Sequence, residues 1–263
     1  MNSTVWRYAH ASVVGAAHLA QNTICQDRFV CRTIAKGAEE VLIAAVADGA
    51  GSTSDGHLGA ELACALFVEQ IERFLAAENA SLKSLNADFG RRWIAYFQMK
   101  MGETARADDK IIREYASTFL GAVVGGECAV FFQIGDGGIV ISASGEPGSY
   151  GFAIEPSDAL YVNTTDFLTD ETAAERLQFA LFEQSIEDVI LFSDGIFPIA
   201  VNYQTNQPHE PFLMPMIAPL KNGNGNMNGL SEKLANFLGA PKINEKTDDD
   251  KTIVLASRRT EKR

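Results

Sequence analysis

Three apolar runs, STFLGAVVGG (117–126), CAVFFQIG (128–135) and GIVISAS (138–144), follow one another with only short glycine-containing turns between them. Turns that short join antiparallel neighbours, because a parallel connection needs a crossover of roughly a dozen residues or more. The middle of the chain therefore reads as an antiparallel meander. Before it, residues 3–15, 28–34 and 40–47 are rich in Val, Ile and Ala and predict further strands. Between these two groups the period changes. Leu58, Leu62 and Leu66 stand at i+4 beside Ala63, Phe67, Ile71 and Phe74, and Phe89, Trp93, Phe97 and Met101 repeat that spacing, which predicts helices over 57–75 and within 84–107, each with a buried face. After the meander the pattern predicts a short helix within 173–185, a strand over 187–193, a helix over 229–238 and a last strand over 251–257. Residues 202–228, with several prolines and glycines, read as a loop excursion, and 258–263 as a basic solvated tail. There is no internal repeat. Strands, two long helices, strands, helix and strand in that order predict one α+β domain over 1–263, with helices covering sheet faces in layers.

Composition narrows the function. Hydrophobic residues make up 46% of the chain and charged residues 21%, too apolar for disorder and too interrupted for a membrane span. The first residues, MNSTVWRYAH, lack the basic start and apolar centre of a secretory signal, so the expected location is the cytoplasm and no membrane partner is expected. The four cysteines at 25, 31, 64 and 128 show no paired CxxC spacing and read as free thiols. A formal net charge of −12 argues against nucleic acid as a partner.

Acids mark the ends of the apolar runs. VADGAGS (46–52), FFQIGDGG (131–138) and ILFSDGI (190–196) each close a run on Asp followed by Gly, and DDDKTIVLA (248–256) enters one from the acidic side. A single Asp-Gly is an ordinary turn signal. Four such sites in one chain suggest a shared purpose, since converging carboxylates stay charged only around a cation. Aspartate and backbone oxygens without nearby His or Cys suit Mg²⁺ or Mn²⁺ rather than zinc. Two such ions would clamp a phosphate and acidify a water between them, which is chemistry for hydrolysing a phosphoester.

The ordered set CQDRF (25–29), VADGAGS (46–52), GAELA (59–63), STFLGAVV (117–124), IGDGG (134–138), LFSDGI (191–196) and DDKT (249–252) resembles the metal-dependent serine/threonine protein phosphatases of type 2C, the PPM class. It is most similar to a bacterial branch with Cys-Gln-Asp in its first motif, which YVNTTDFLTDE (161–171) and TDDDKT (247–252) also resemble. The resemblance implies a four-layer α-β-β-α sandwich with two central antiparallel sheets and a metal site in the cleft between them. It implies that Asp48 bridges two metal ions, that the Gly49 carbonyl ligates one, and that Asp194 and Asp249 complete the shell of the other. Asp136 with Asp194 would hold a weaker third ion, and Asp27 would orient metal-bound water from behind the ligands. Asp48, Asp194 and Asp249 would carry catalysis, a hydroxide bridging the ions attacking phosphoserine or phosphothreonine in a protein that a serine/threonine kinase had modified.

The match departs from the family at several positions. Gln26 stands where the first motif usually has Glu, and predicts weaker binding of the second ion. Asn22 stands where a phosphate-binding Arg is usual, leaving His18 or Arg28 as substitutes. Ala50 replaces a His that some members carry; His57 is a candidate general acid or an exposed loop residue. Asp250 stands at a position that is commonly Asn, and the register is set by Thr252, which puts Asp249 at the ligand position. Ser117 and Thr118 read as supports of strand packing. These departures leave a second function open, a catalytically weak phosphoprotein-binding regulatory module on the same fold.

Overall fold

The computed structural model describes residues 3–37, 39–78, 80–143, 149–156, 165–222 and 229–261. Among the described residues the strands are β1 (Ser3–Val13), β2 (Arg28–Lys36), β3 (Glu39–Ala47), β4 (Phe119–Val124), β5 (Ala129–Ile134), β6 (Gly138–Ala143), β7 (Gly151–Phe152), β8 (Gln178–Phe182), β9 (Ile186–Phe192), β10 (Val201–Asn202), β11 (Gln207–Pro208) and β12 (Lys251–Glu261). The helices are α1 (Ala16–Ala20), α2 (Gly56–Leu75), α3 (Ala87–Ala107), α4 (Ala173–Arg176), α5 (Phe197–Ala200), α6 (Glu210–Asn222), α7 (Leu230–Leu238) and α8 (Pro241–Asn244). One five-stranded sheet runs β1-β12-β9-β6-β7 and the other β2-β3-β4-β5-β8, antiparallel throughout.

The pleat explains why these strands are apolar at nearly every position. In β3, Val41, Ile43, Ala45 and Ala47 point to the core shared with α2 and α3, while Leu42, Ala44 and Val46 point into the core between the sheets. In β9, Val189 and Leu191 face the inter-sheet core, and Ile190 and Phe192 face a third core under α6 and α7. Strands buried on both faces cannot alternate with polar residues. Three cores between four layers follow, which is the expected α-β-β-α sandwich.

The α3 stripe packs as expected, with Trp93, Phe97 and Met101 buried and Asn86 capping the helix by accepting from the Phe89 N–H at 3.0 Å. The α2 face is rotated from the leucine stripe. Leu58 is exposed, and Gly59, Ala60, Ala63, Phe67 and Ile71 turn inward, because the small residues let the helix approach the sheet closely.

Three other expectations need correction. Within 173–185 only α4 is helical; Gln178–Phe182 instead pairs with the edge of β5, so that Phe179 packs on the helix side and Phe182 between the sheets. The 202–228 excursion contains β10, β11 and the helix α6, despite Pro215 and Pro219. Burial of Leu213, Ile217 and Leu220 on the sheet contributes about 1.5–3 kcal/mol each, comparable in sum with the about 3 kcal/mol that each of the two interior prolines costs. The basic tail is not solvated at 258–259. Arg258 and Arg259 belong to β12; Arg258 donates to the Gly126 carbonyl at 2.7 Å and lies over the Trp6 ring, and Arg259 pairs with Glu187 at 3.0 Å. Residue 144 of the third meander run, 161–164, 223–228 and 262–263 lie outside the described residues.

Candidate metal centre

Antiparallel pairing brings the acids to one place. Phe192 at the end of β9 pairs with Ile253 near the start of β12, so Asp194 and Asp249 leave the same edge of one sheet. Asp48 leaves β3 in the other sheet, and Asp136 sits on the link by which β5 of one sheet passes to β6 of the other. Gly135 and Gly137 flank it at φ +82° and +95°, a left-handed turn that side chains resist. At Gly195 a Cβ would lie 1.9 Å from the Asp250 carbonyl oxygen, so only glycine lets the loops of Asp194 and Asp249 touch.

Asp48, Gly49, Asp136, Asp194 and Asp249 line one cavity of about 200 Å³, together with His18, Ala50, Gly51, Ser52, Thr118, Thr165 and Phe167. A larger hollow of about 580 Å³ lies beside Lys36, Glu39 and Lys83, but it gathers none of these acids, and convergence of chemistry outweighs volume. The loop after β3 is held by Thr118, whose N–H donates to the Asp48 carbonyl at 2.8 Å and whose Oγ1 accepts from the Asp48 N–H at 3.1 Å. Ser117 bridges to Gly49. The pair expected to support strand packing thus also fixes the Asp48 backbone. Thr165 donates to Asp136 Oδ2 at 2.9 Å.

Burial and mutual repulsion raise Asp48, Asp136 and Asp194 above the usual carboxylate range. Asp194 is pushed up to about 8, first by burial and then by the charges of Asp136, Asp249 and Asp27. Asp48 lies well above the usual carboxylate range for the same reasons, burial first, then Asp27 and Asp194. Burial also raises Asp136. Asp27 is wholly buried behind Asp48, hydrogen-bonded to it, accepts from Ser193 Oγ at 2.7 Å and is pushed up to about 6 by burial.

The donor set fits a hard divalent cation. All its side-chain donors are carboxylate oxygens, and Asp194 Oδ1 and Asp27 Oδ1 are buried with no hydrogen-bond partner among the described residues. Among the described residues no three acids, histidines or cysteines stand close enough together, as placed, to hold a metal ion, so the acids would have to draw in around one. A cation there would offset the repulsion that raises Asp48, Asp136 and Asp194.

The remaining candidates separate. Gln26 does not line the cavity; its Oε1 accepts from the His57 N–H at 2.9 Å in the first turn of α2, and its own N–H donates to Asp250 Oδ2 at 2.6 Å. Arg28 lies outside as well: Nη1 donates to the Cys25 and Asp27 carbonyls at 2.9 and 2.8 Å, and Nε stands 3.7 Å from Glu61 Oε2. His57 is a partly buried helical residue rather than an exposed loop one, and it too is outside the cavity. His18 lines the cavity. Sequence reasoning gave no site role to Thr165 and Phe167, although both lie in the YVNTTDFLTDE stretch that carries part of the resemblance, and it missed the anchoring role of Asp250, whose Oδ1 accepts from the Gly15 N–H at 2.6 Å.

A two-sheet α-β-β-α sandwich with an acid-rich cleft between its sheets fits the fold of the metal-dependent protein phosphatases. The sequence model of the protein phosphatase 2C family matches residues 14–239, and the chain belongs to that family, whose members are metal-dependent protein phosphatases. It is 33% identical over 254 residues to "Serine/threonine-protein phosphatase 3" of Escherichia coli (strain K12), covering 95% of this chain and 98% of that one. Among solved structures, the serine/threonine phosphatase Stp1 from Staphylococcus aureus superposes with a TM-score of 0.61 at 14% identity, over 97% of this chain and 96% of that one. The catalytic domain of PstP in complex with two manganese ions gives 0.59 at 12% identity, over 97% and 99%. Among the described residues no helix is long and apolar enough to cross a membrane.

Proposed function

We propose that this phosphatase removes phosphate from phosphoserine and phosphothreonine in proteins, using Mn²⁺ or Mg²⁺ held by Asp48, the Gly49 carbonyl, Asp136, Asp194 and Asp249. The observation that carries the reading is the arrival of four acids from both sheets in one cavity, with Asp194 held up to about 8 by burial and its neighbours. Asp48, on the loop after β3, is the candidate to bridge two ions; Asp194 and Asp249 would complete one shell, and Asp136 with Asp194 would serve a weaker third. Bound there, divalent ions would supply Lewis acidity to polarise the phosphate and acidify the attacking water. Asp27, pinned by Ser193 and touching Asp48, would orient metal-bound water from behind the ligands.

The manganese complex of PstP and the name of the Escherichia coli relative support this metal and substrate class. The substrate would then be the product of a serine/threonine kinase, and the absence of a long apolar helix among the described residues is compatible with cytoplasmic work. A purely phosphoprotein-binding module is disfavoured by the acids themselves, since binding alone has no use for so costly a concentration of buried carboxyls.

The test is hydrolysis of p-nitrophenyl phosphate and of a phosphothreonine peptide by the purified protein with Mn²⁺, Mg²⁺ or EDTA. We expect metal-dependent turnover that falls by about a hundredfold or more in Asp48→Asn and Asp194→Asn. Binding of the phosphopeptide without turnover by a folded protein in either metal would instead establish the regulatory reading.

A further inference from the structure

A phosphate monoester entering this cavity brings its negative charge against four carboxylates, so oxygens not neutralised by metal need a donor from the protein. Among the described residues lining the cavity, His18 is the one whose side chain can carry positive charge. Arg28, the other sequence candidate, is tied to backbone carbonyls outside.

His18 is held at both its backbone and its ring. It sits in α1, whose start is fixed by the Gly15 N–H on Asp250 Oδ1 at 2.6 Å and by the Ala17 N–H on the Asp248 carbonyl at 2.9 Å. Its own carbonyl accepts from the Thr23 N–H at 2.9 Å and from Thr23 Oγ1 at 3.1 Å. Its Nδ1 stands 2.9 Å from Asp250 Oδ2, a close ion-pair contact bent away from a regular hydrogen bond. Asp250 is buried, and its two oxygens already accept from the Gly15 and Gln26 N–H groups at 2.6 Å each. A carboxylate pinned in this way orients what it touches.

With Nδ1 turned to Asp250, Nε2 is left for the cavity. It faces the opposite wall, where a Cβ on Gly51 would lie 3.3 Å from it. The side chain keeps about 15% of its surface accessible, enough to meet a ligand and little enough to be screened only in part.

We propose that His18 binds the phosphate group of the substrate through Nε2–H, and that Asp250 is the residue that positions it. The inference rests on the phosphatase reading above and deepens it by naming the groups that recognise the phosphate. Asp250 itself stays outside the metal shell, its oxygens engaged by backbone and by the imidazole.

Steady-state kinetics with p-nitrophenyl phosphate and competitive inhibition by inorganic phosphate, both at saturating Mn²⁺, test this in wild type, His18→Ala, His18→Arg, Asp250→Asn and the His18→Ala/Asp250→Asn pair. We expect His18→Ala to raise KM and the phosphate inhibition constant about tenfold with a much smaller change in kcat, and His18→Arg to restore both. The Mn²⁺ concentration for half-maximal activity should stay as in wild type. Asp250→Asn should weaken phosphate inhibition in the wild-type background and add little to His18→Ala, because the two act through one contact. A role confined to fold would instead lower thermal stability, move the Mn²⁺ requirement and resist rescue by Arg, and that pattern overturns the proposal. So does a His18→Ala enzyme with unchanged KM and phosphate inhibition. Failure of wild type itself to turn over with metal would refute the phosphatase reading rather than this one.

Discussion

Asp194 is an electrostatic burden on the metal-free protein, and removing it should make that protein more stable. Its carboxyl titrates near 3.8 in an ordinary environment and about 8 in the fold, with burial first and then Asp136, Asp249 and Asp27 as causes. A carboxyl whose folded pKa is raised costs nothing below the unfolded value, and its cost grows as pH rises until the folded pKa is passed. At about 1.36 kcal/mol per pH unit, the ceiling is roughly 4 kcal/mol at pH 7, and relaxation of the neighbouring acids lowers it. Asp194→Asn keeps the shape and removes the charge. For a chain of this size each kcal/mol moves Tm by about 2–4 °C, so we expect the variant in EDTA to melt at least about 4 °C above wild type at pH 8, with less than half that gain at pH 5. Mn²⁺ should reverse the order by stabilising wild type more than the variant. Thermal unfolding followed by circular dichroism at both pH values, with EDTA and with Mn²⁺, provides the assay. A variant that is no more stable than wild type at pH 8, or a gain that does not shrink towards pH 5, would refute the reasoning.

Further predictions concern the scaffold of the site. Gly195→Ala should cut Mn²⁺ affinity by about tenfold or more, because a Cβ there would sit 1.9 Å from the Asp250 carbonyl and force the acid-bearing loops apart; metal titration reads the change. Gln26→Ala should cost about 0.5–2 kcal/mol in denaturant unfolding by leaving the His57 N–H at the start of α2 unpaired. Gln26→Glu keeps that acceptor and adds charge near the acids, so Mn²⁺ affinity should rise; an unchanged affinity in calorimetry would count against a metal role for position 26. Lys221→Met should destabilise the protein by about 1.5–3 kcal/mol in the same unfolding assay, since it removes a cation 2.5 Å from the fully buried Asp188, which keeps Arg259 at 3.5 Å and the Tyr150 hydroxyl at 2.9 Å.

The layers and the acids were legible because each is written locally. The short turns of the meander, the α3 stripe through Trp93, Phe97 and Met101, and the Asp-Gly ends of apolar runs are all properties of a few adjacent residues. The rest depends on partners distant in the chain. Gln178–Phe182 extends because β5 offers it an edge, and α6 tolerates two prolines because a sheet face waits under Leu213, Ile217 and Leu220. Arg258 leaves solvent for the Gly126 carbonyl, 132 residues away. At the site, the acids could be named from sequence, whereas which of His18 and Arg28 faces them depends on Asp250 and the Cys25 and Asp27 carbonyls, which no spacing reveals. The DDD run is the instructive case. Two neighbouring aspartates diverge, Asp249 into the cavity and Asp250 onto backbone N–H groups, because alternate residues entering a strand point to opposite sides.

The central claim is that the acid cleft turns bound metal into phosphatase activity. The most direct measurement follows phosphothreonine-peptide hydrolysis as metal-stripped protein is titrated with Mn²⁺, with bound Mn²⁺ counted in the same samples for wild type and Asp48→Asn. We predict a rate that stays at the EDTA level until ions fill the cleft, rises with the second equivalent bound, and stays flat in Asp48→Asn. A rate independent of bound Mn²⁺, or undiminished in Asp48→Asn, would contradict it.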